Sequence, residues 1–337
     1  MICKTNIQLL RLFCLIRSKN KVIFNVGLIL LISLNSLSAF SQSPSDALLM
    51  PSKNICILVS YESGNFNQYW EGNYLRKNAS IGTLSRKTIT TMAAIGIIKD
   101  LNAYISLPYI KTASSEPNGG HFAGAKGLQD IAIAFKYRTT EKTLDSGDLS
   151  LFTTLSFATP SSDYLSDYMP YSIGLGTSEF GIREIAKFQF KNGFYAQAMV
   201  GYFWRGYTEA ERDYYYNNGS FYSNIMDVPN AWNFEGGLGV WLIDNRLKIE
   251  ASYIGIRSTS GDNIRAYNAP QPTNRVNIDR IALSAQYYFK GIKGLGVLAY
   301  HNNVVNGLNT GKFSNSGLGL NYQFNYAKNI NAEPNEK

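Results

Sequence analysis

The side chains able to do chemistry in this sequence stand singly, and most of them recur at a spacing of two. Asp130, Lys136 and Arg138 share one parity of the stretch Gly127 to Arg138, whose other parity is Ile131, Ile133, Phe135 and Tyr137. Glu235 falls opposite Trp232, Phe234, Leu238 and Val240, Lys248 and Glu250 opposite Leu247, Ile249 and Tyr253, and Arg280 opposite Ile281 and Leu283. Side chains on a strand alternate between faces, so these seven charges belong to a polar face backed by an apolar one. Charges on such a face either line a constriction that filters solutes by charge or pair with one another to fill a narrow interior.

Catalysis needs a base within reach of a nucleophile. The chain has two histidines, His121 in a long polar connection and His301 at a strand end. Neither a Ser–His pair nor His121 with Asp163 or Asp167 has supporting spacing. The loop aspartates lack the rhythm of a calcium loop, and no Cys/His cluster suggests zinc. Gly236-Gly237-x-Gly239 precedes no helix, which dismisses a dinucleotide site. The reading is therefore of a protein that is not an enzyme and carries no cofactor and no metal.

A second group of candidates is aromatic. Trp70, Tyr164, Tyr168, Tyr171, Tyr214, Tyr215 and Tyr216, with Tyr69 and Tyr222, all fall in long polar connections. A tyrosine offers a flat apolar surface with a polar tip, suited to capturing hydrophobic or aromatic ligands or glycans. The alternative role for such residues is a girdle at a lipid interface.

The elements that must position these residues are strands. From Ile55 onward, apolar segments of about ten residues, the length a tilted membrane strand needs, recur to the carboxyl end. About twelve such segments are joined by five short and six long connections in alternation. The short ones include Lys99-Asp100, Lys191-Asn192-Gly193 and Asp244-Asn245, and Thr139 to Gly147 is expected as another. Hydrocarbon cannot hydrogen-bond an exposed backbone, so a sheet spans it only by closing on itself. The expectation is an all-β fold, a transmembrane antiparallel up-and-down β-barrel over residues 54 to 326. A soluble exported β-sandwich is the alternative fold.

Two places break the pattern. Pro108 lacks the N–H that a ladder needs, and a closed barrel has no edge strand to hide it, so a bulge is expected there. In the sixth strand the aromatic parity of Phe180, Phe188 and Phe190 would turn Glu184 toward lipid, which is costly; a bulge, or parity set by Ile185, is expected instead.

Composition agrees with export. Of 337 residues, 45% are hydrophobic and only 17% charged. Lys4, Arg11, Arg17, Lys19 and Lys21 precede an uncharged apolar run, Val22 to Leu37, and Ala39-Phe40-Ser41 offers small residues where a signal peptidase reads. Residues 1 to 41 are thus expected to be a signal peptide, and 42 to 53 a periplasmic tail or plug. Removing the five leader cations reduces the formal charge from +8 to 27 Lys+Arg against 24 Asp+Glu, which takes away the case for a nucleic-acid partner. Cys3 and Cys14 leave with the leader, and the remaining Cys56 reads as a small apolar residue.

The Gly127-x-x-Asp130 start, the alternating Ile/Ala and the Phe135-Lys136-Tyr137-Arg138 end resemble the repeated strand motif of the phenol-degradation-pathway outer-membrane barrels. Leu107-Pro108-Tyr109 resembles the Leu-Pro-Tyr of the strand that precedes it there. The resemblance implies a barrel of about twelve strands that admits small hydrophobic or aromatic molecules. Asn315-x-Gly317-x-x-Leu320-x-Tyr322 is similar to the signal by which the outer-membrane barrel assembly machinery recognises a last strand, although a tail, 327 to 337, follows it here. The expected setting is the outer membrane of a Gram-negative bacterium, with its lipid and that machinery as partners. The expected role is a porin-like channel or transporter; the other reading is a non-transporting barrel that displays its loops for adhesion or structural work.

Overall fold

A computed structural model describes residues 43–265 and 270–327. The expected signal peptide and the end of the carboxyl tail, 328–337, lie outside the described residues. Twelve long strands follow one another: β1 (Asn54–Phe66), β2 (Leu84–Ile98), β3 (Leu101–Ser114), β4 (Asp130–Leu144), β5 (Gly147–Pro160) and β6 (Glu179–Phe190), then β7 (Phe194–Arg205), β8 (Ala231–Leu242), β9 (Leu247–Ser258), β10 (Asn277–Tyr288), β11 (Leu295–Leu308) and β12 (Ser314–Asn325). Each pairs antiparallel with its neighbours in sequence, and β1 pairs with β12 from Asn54↔Asn325 to Asn65↔Ser314, so the wall closes. Closure leaves no backbone edge to lipid, the condition for spanning hydrocarbon with strands.

Alternation decides the two faces. In β1, Ile57, Val59 and Tyr61 are exposed while Cys56 and Leu58 are buried; in β4, Ile133, Phe135 and Tyr137 face out while Ala134 and Lys136 face in. Short turns gather at one end of the barrel, the turn end. Three consecutive left-handed residues, Ile243, Asp244 and Asn245, make one of them. The long connections gather at the other, the loop end.

Where the strands depart from expectation, the cause is local. The connection expected over Thr139 to Gly147 is mostly strand: β4 runs to Leu144 and β5 starts at Gly147, with a register shift between Arg138 and Thr140. The β4 arm of this hairpin, 139–144, runs past the end of β3 with both faces exposed, so its sequence carries no apolar alternation to announce it. β11 extends past Tyr300 to Leu308 for a similar reason, since its outward positions His301 and Asn303 are polar. The bulge expected at Pro108 is present in the partner strand: Ser106 pairs with Ala132 but Tyr109 with Leu128, so Gln129 to Ile131 oppose only Leu107 and Pro108. The Gln129 amide bridges the gap by donating to the Pro108 carbonyl at 2.9 Å.

Glu184 corrects the sequence reading. β6 pairs without a bulge on either side, Ile185 is buried inside, and Glu184 faces outward. Thr153 of β5, its cross-strand partner, donates a hydroxyl hydrogen bond to it at 2.8 Å. The opposite parity would have turned two cations, Arg183 and Lys187, to lipid in place of one carboxylate, a larger cost.

Both ends of the barrel fold inward. At the loop end, 161–178 dips into the interior, burying Tyr171, Ser172 and Ile173. At the turn end, residues 43–53 turn up inside before β1 begins. Gly96 makes room for them: a Cβ there would lie 2.1 Å from the Pro51 carbonyl oxygen, and the Lys53 amide donates to the Gly96 carbonyl at 2.8 Å.

Candidate functional site

The interior has three levels. The uppermost is a cavity of about 940 Å³ under the loops. Its apolar lining combines wall residues such as Phe66, Leu84 and Phe313 with loop residues such as Tyr171, Ile173 and Pro270. The inward loop shapes this space through bonds to its backbone. Thr112 donates to the Tyr171 carbonyl at 2.6 Å and Arg86 to the Ile173 carbonyl at 3.0 Å, while the Tyr171 ring meets Phe122 edge to face at 5.0 Å. Charges enter at the rim, where Arg205 pairs with Glu179 at 2.8 Å.

The middle level is a charged waist. Tyr195 of β7 donates to Glu250 of β9 at 2.6 Å, Lys248 pairs with the same carboxylate at 3.1 Å, and Lys187 of β6 sits 4.8 Å from the Tyr195 ring centre. Tyr195 can lie across the intervening β8 only because Gly239 has no side chain; a Cβ there would sit 2.3 Å from the ring. Gly237 and Gly239 of Gly236-Gly237-x-Gly239 thus serve packing, against Gln197 and Tyr195. Arg183 donates to Ser156 at 2.9 Å and stacks on Phe203. Arg280 interacts electrostatically with Glu62 and Tyr300, and its buried Nε finds no hydrogen-bond partner among the described residues.

The lowest level is filled by the amino-terminal segment. Asp46 folds it into a turn by accepting from the Ser43 and Leu48 amides at 2.6 and 3.0 Å. Lys136, with none of its side chain exposed, donates to the Ser43 carbonyl at 2.8 Å and to the Asp46 carbonyl and carboxylate at 2.9 Å each. Thr154 donates to the Pro44 carbonyl at 3.1 Å. Ala47 and Leu49 pack on Phe152, Ile185 and Met199, and Met50 packs on Cys56, Ala94, Tyr104 and Ala134. A buried ammonium satisfied by three oxygens of one short segment is a specific anchor, since leaving it unpaired is costly.

The seven charges singled out by sequence do not converge. Asp130 lies at the vestibule, accepting from the Tyr164 hydroxyl at 2.6 Å. Lys136 holds the amino-terminal segment. Arg138 is tied at the turn end to Asp100 and Glu141. Lys248 and Glu250 pair in the waist, and Glu235 makes no ion pair among the described residues. Sequence reading missed Asp46, whose role depends on a fold-back that no periodicity encodes. It also missed Arg183 and Lys187, although the aromatic parity of β6 points them inward.

Of the aromatic candidates, Tyr171 and Tyr69 line the vestibule and the others pack the loops together. Trp70 is buried over Gly307, Tyr168 donates to Glu211 at 3.1 Å, Tyr215 stacks on Phe221, Tyr216 lies beneath Arg265, and Tyr214 is half exposed beside Tyr222. Tyr164 also accepts from the Gly176 amide at 3.0 Å; burial, reinforced by Asp130, raises its phenol above the ordinary value. His121 lies in an exposed loop. His301 faces outward within β11, bonded to Ser316 and Asn303 at 2.9 Å each.

A closed twelve-stranded wall with an apolar exterior, short turns at one end and folded loops at the other is the architecture of an outer-membrane β-barrel. No family model matches the chain, and no curated protein matches it. Among solved structures it is similar to the COG4313 outer membrane channel from Pseudomonas putida F1, with a TM-score of 0.65 and 12% identity over 84% of this chain and 100% of that one. More distant likenesses are the NanC porin, TM-score 0.43 and 8% identity over 79% and 98% of the two chains, and the TodX monoaromatic hydrocarbon channel, TM-score 0.37 and 10% identity over 82% and 91%. At these identities the likeness is one of fold.

Proposed function

We propose that the protein is an outer-membrane channel for small hydrophobic or aromatic compounds, opening outward through the vestibule and closed toward the periplasm by residues 43–53 acting as a plug. The observation that carries this reading is the pairing of a large cavity at the loop end, whose lining combines apolar and aromatic side chains with polar ones, with a segment seated on one buried lysine at the turn end. A solute of modest size gains by leaving water for that cavity, roughly 25 cal/mol per Å² of apolar surface covered. Onward passage requires the plug to move, or the wall to part where β3 and β4 lose pairing beside Pro108. No step calls for a catalytic group or a cofactor.

The test is planar-bilayer conductance together with uptake of aromatic solutes into proteoliposomes. Conductance that is small in the full chain and rises when residues 43–50 are deleted is the expected result. A barrel that inserts, shifts on heating in detergent gels, and passes neither ions nor solutes in either form would sink the channel reading. The seated plug itself favours a second reading, a non-transporting barrel that presents its packed loops, and that outcome would select it.

A further inference from the structure

The outer wall carries a charge pattern that the channel reading leaves unused. Lys87 of β2 pairs directly across the sheet with Lys111 of β3, and Lys111 pairs directly with Lys126 of the short strand Lys126–Leu128, which continues the β3 pairing past the Pro108 bulge. All three face outward and are exposed. Neighbouring strands lie about 4.8 Å apart, so three ammonium groups stand in a row about 10 Å long. Like charges directly opposite one another destabilise a sheet. Nothing on this wall relieves them: none of the three makes a hydrogen bond or ion pair among the described residues, and every other outward position of β2 and β3 is uncharged.

The rows on either side fix the height of this triad. One step toward the turn end, the same cross-strand ladder reads Leu318, Tyr61, Ile89, Tyr109 and Leu128, all exposed and all apolar or aromatic. The row of the lysines itself continues through Ser63 to Ser316 and His301, all polar. The apolar belt therefore ends between the two rows, with Tyr61 and Tyr109 at its border, and the lysines stand just beyond it on the loop side, level with lipid headgroups.

Farther round the outer wall toward the loop end, one charged pair is neutralised within the protein. Arg257 of β9 pairs with Asp279 of β10, which also accepts from Tyr253 and, at 2.9 Å, from Asn306. The lysine row has no such partner. A triad of cations without a counter-ion, at headgroup height and above an apolar belt, is complementary to a lipid that carries more than one phosphate.

We propose that Lys87, Lys111 and Lys126 form a binding site for the phosphate groups of a phosphorylated glycolipid of the outer leaflet. The site rests on the outer-membrane reading but not on transport. The lipid bridges the ammonium groups as a shared counter-ion, while its acyl chains lie along Ile89, Tyr109 and Leu128. It thereby clasps β2 and β3 to the strand beyond the bulge, where the wall is least continuous.

The test compares the full-length mature barrel in detergent with the triple variant K87Q/K111Q/K126Q and a turn-end control, K290Q/K293Q. Folding of each is checked by heat-modifiable migration, and binding of diphosphoryl lipid A and of its fully dephosphorylated form is measured by native mass spectrometry and by the shift in thermal midpoint. Expected is binding of the diphosphorylated form at least tenfold tighter than the dephosphorylated one, at least tenfold loss in the triple variant, and no change in the control. Equal binding by the triple variant, indifference to the phosphates, or equal loss in the control would overturn the site. Equal binding of phosphatidylglycerol would overturn its assignment to the glycolipid. Bilayer conductance of the triple variant is expected to match that of the parent, so failure of lipid binding and failure of the channel reading are separate results.

Discussion

The two ends of the interior are closed by different physics. At the loop end, 161–178 is held by hydrogen bonds from wall side chains to its backbone, Thr112 to Tyr171 and Arg86 to Ile173, and by an aromatic cluster around Tyr171, and it leaves a cavity. At the turn end, 43–53 is anchored on one buried ammonium, Lys136, with Ala47, Leu49 and Met50 packed on the wall beside it, and it fills the space it enters. A closure made of many modest contacts is shaped by its sequence as a whole and fails gradually. One centred on a single buried charge is more sensitive to one residue. The comparison teaches that the loop-end closure is spread over many contacts, whereas the turn-end one has a single charged anchor among its apolar contacts.

The largest effect that can break this contrast is expected from Lys136→Ala. It leaves the Asp46 carboxylate without its cation in a confined site, at a cost of about 3–5 kcal/mol to the seated segment. Mean conductance in planar bilayers should then rise severalfold; a current equal to that of the parent would show that the segment is held by packing instead. Tyr171→Ala removes a buried ring and a hydroxyl contact from the loop clasp, costing about 3 kcal/mol. It should abolish retention of an aromatic probe in the vestibule and expose 161–178 to protease, while conductance stays that of the plugged barrel.

Gly96→Ala sharpens the comparison from the backbone side. Its added methyl meets the Pro51 carbonyl and costs about 1–3 kcal/mol, so limited proteolysis should cut the segment faster than in the parent, with a smaller gain in current than Lys136→Ala. Tyr164→Phe is expected to be the mildest, about 1–2 kcal/mol from the lost hydrogen bonds to Asp130 and from the Gly176 amide, read as a small fall in thermal midpoint. A current increase in this variant would mean that the two ends communicate.

The barrel was legible because hydrocarbon imposes period two on every strand that crosses it. Ile133, Phe135 and Tyr137 could be turned outward from sequence alone, and Pro108 could be marked as a break. Legibility stopped where the lipid stops. The Thr139 to Leu144 extension and the far half of β11 lie where neither face must be apolar, so nothing in their sequence distinguishes strand from loop. Glu184 misled for a different reason: its cost was weighed alone, when the alternative was to expose Arg183 and Lys187. The amino-terminal segment was expected as a tail or plug, and its contacts could not be read from the sequence. Asp46 and Lys136 are separated by ninety residues, and only closure of the wall brings them together.

The amino-terminal segment has a mechanical consequence as well. It is covalently continuous with β1, which forms the seam with β12, and it reaches Lys136 on β4, Thr154 on β5 and Met199 on β7. It therefore spans the bore from the seam to the opposite staves, as a strut does in a hoop. A barrel braced in this way resists flattening under lateral pressure from the bilayer, and without the strut its cross-section is freer to change shape.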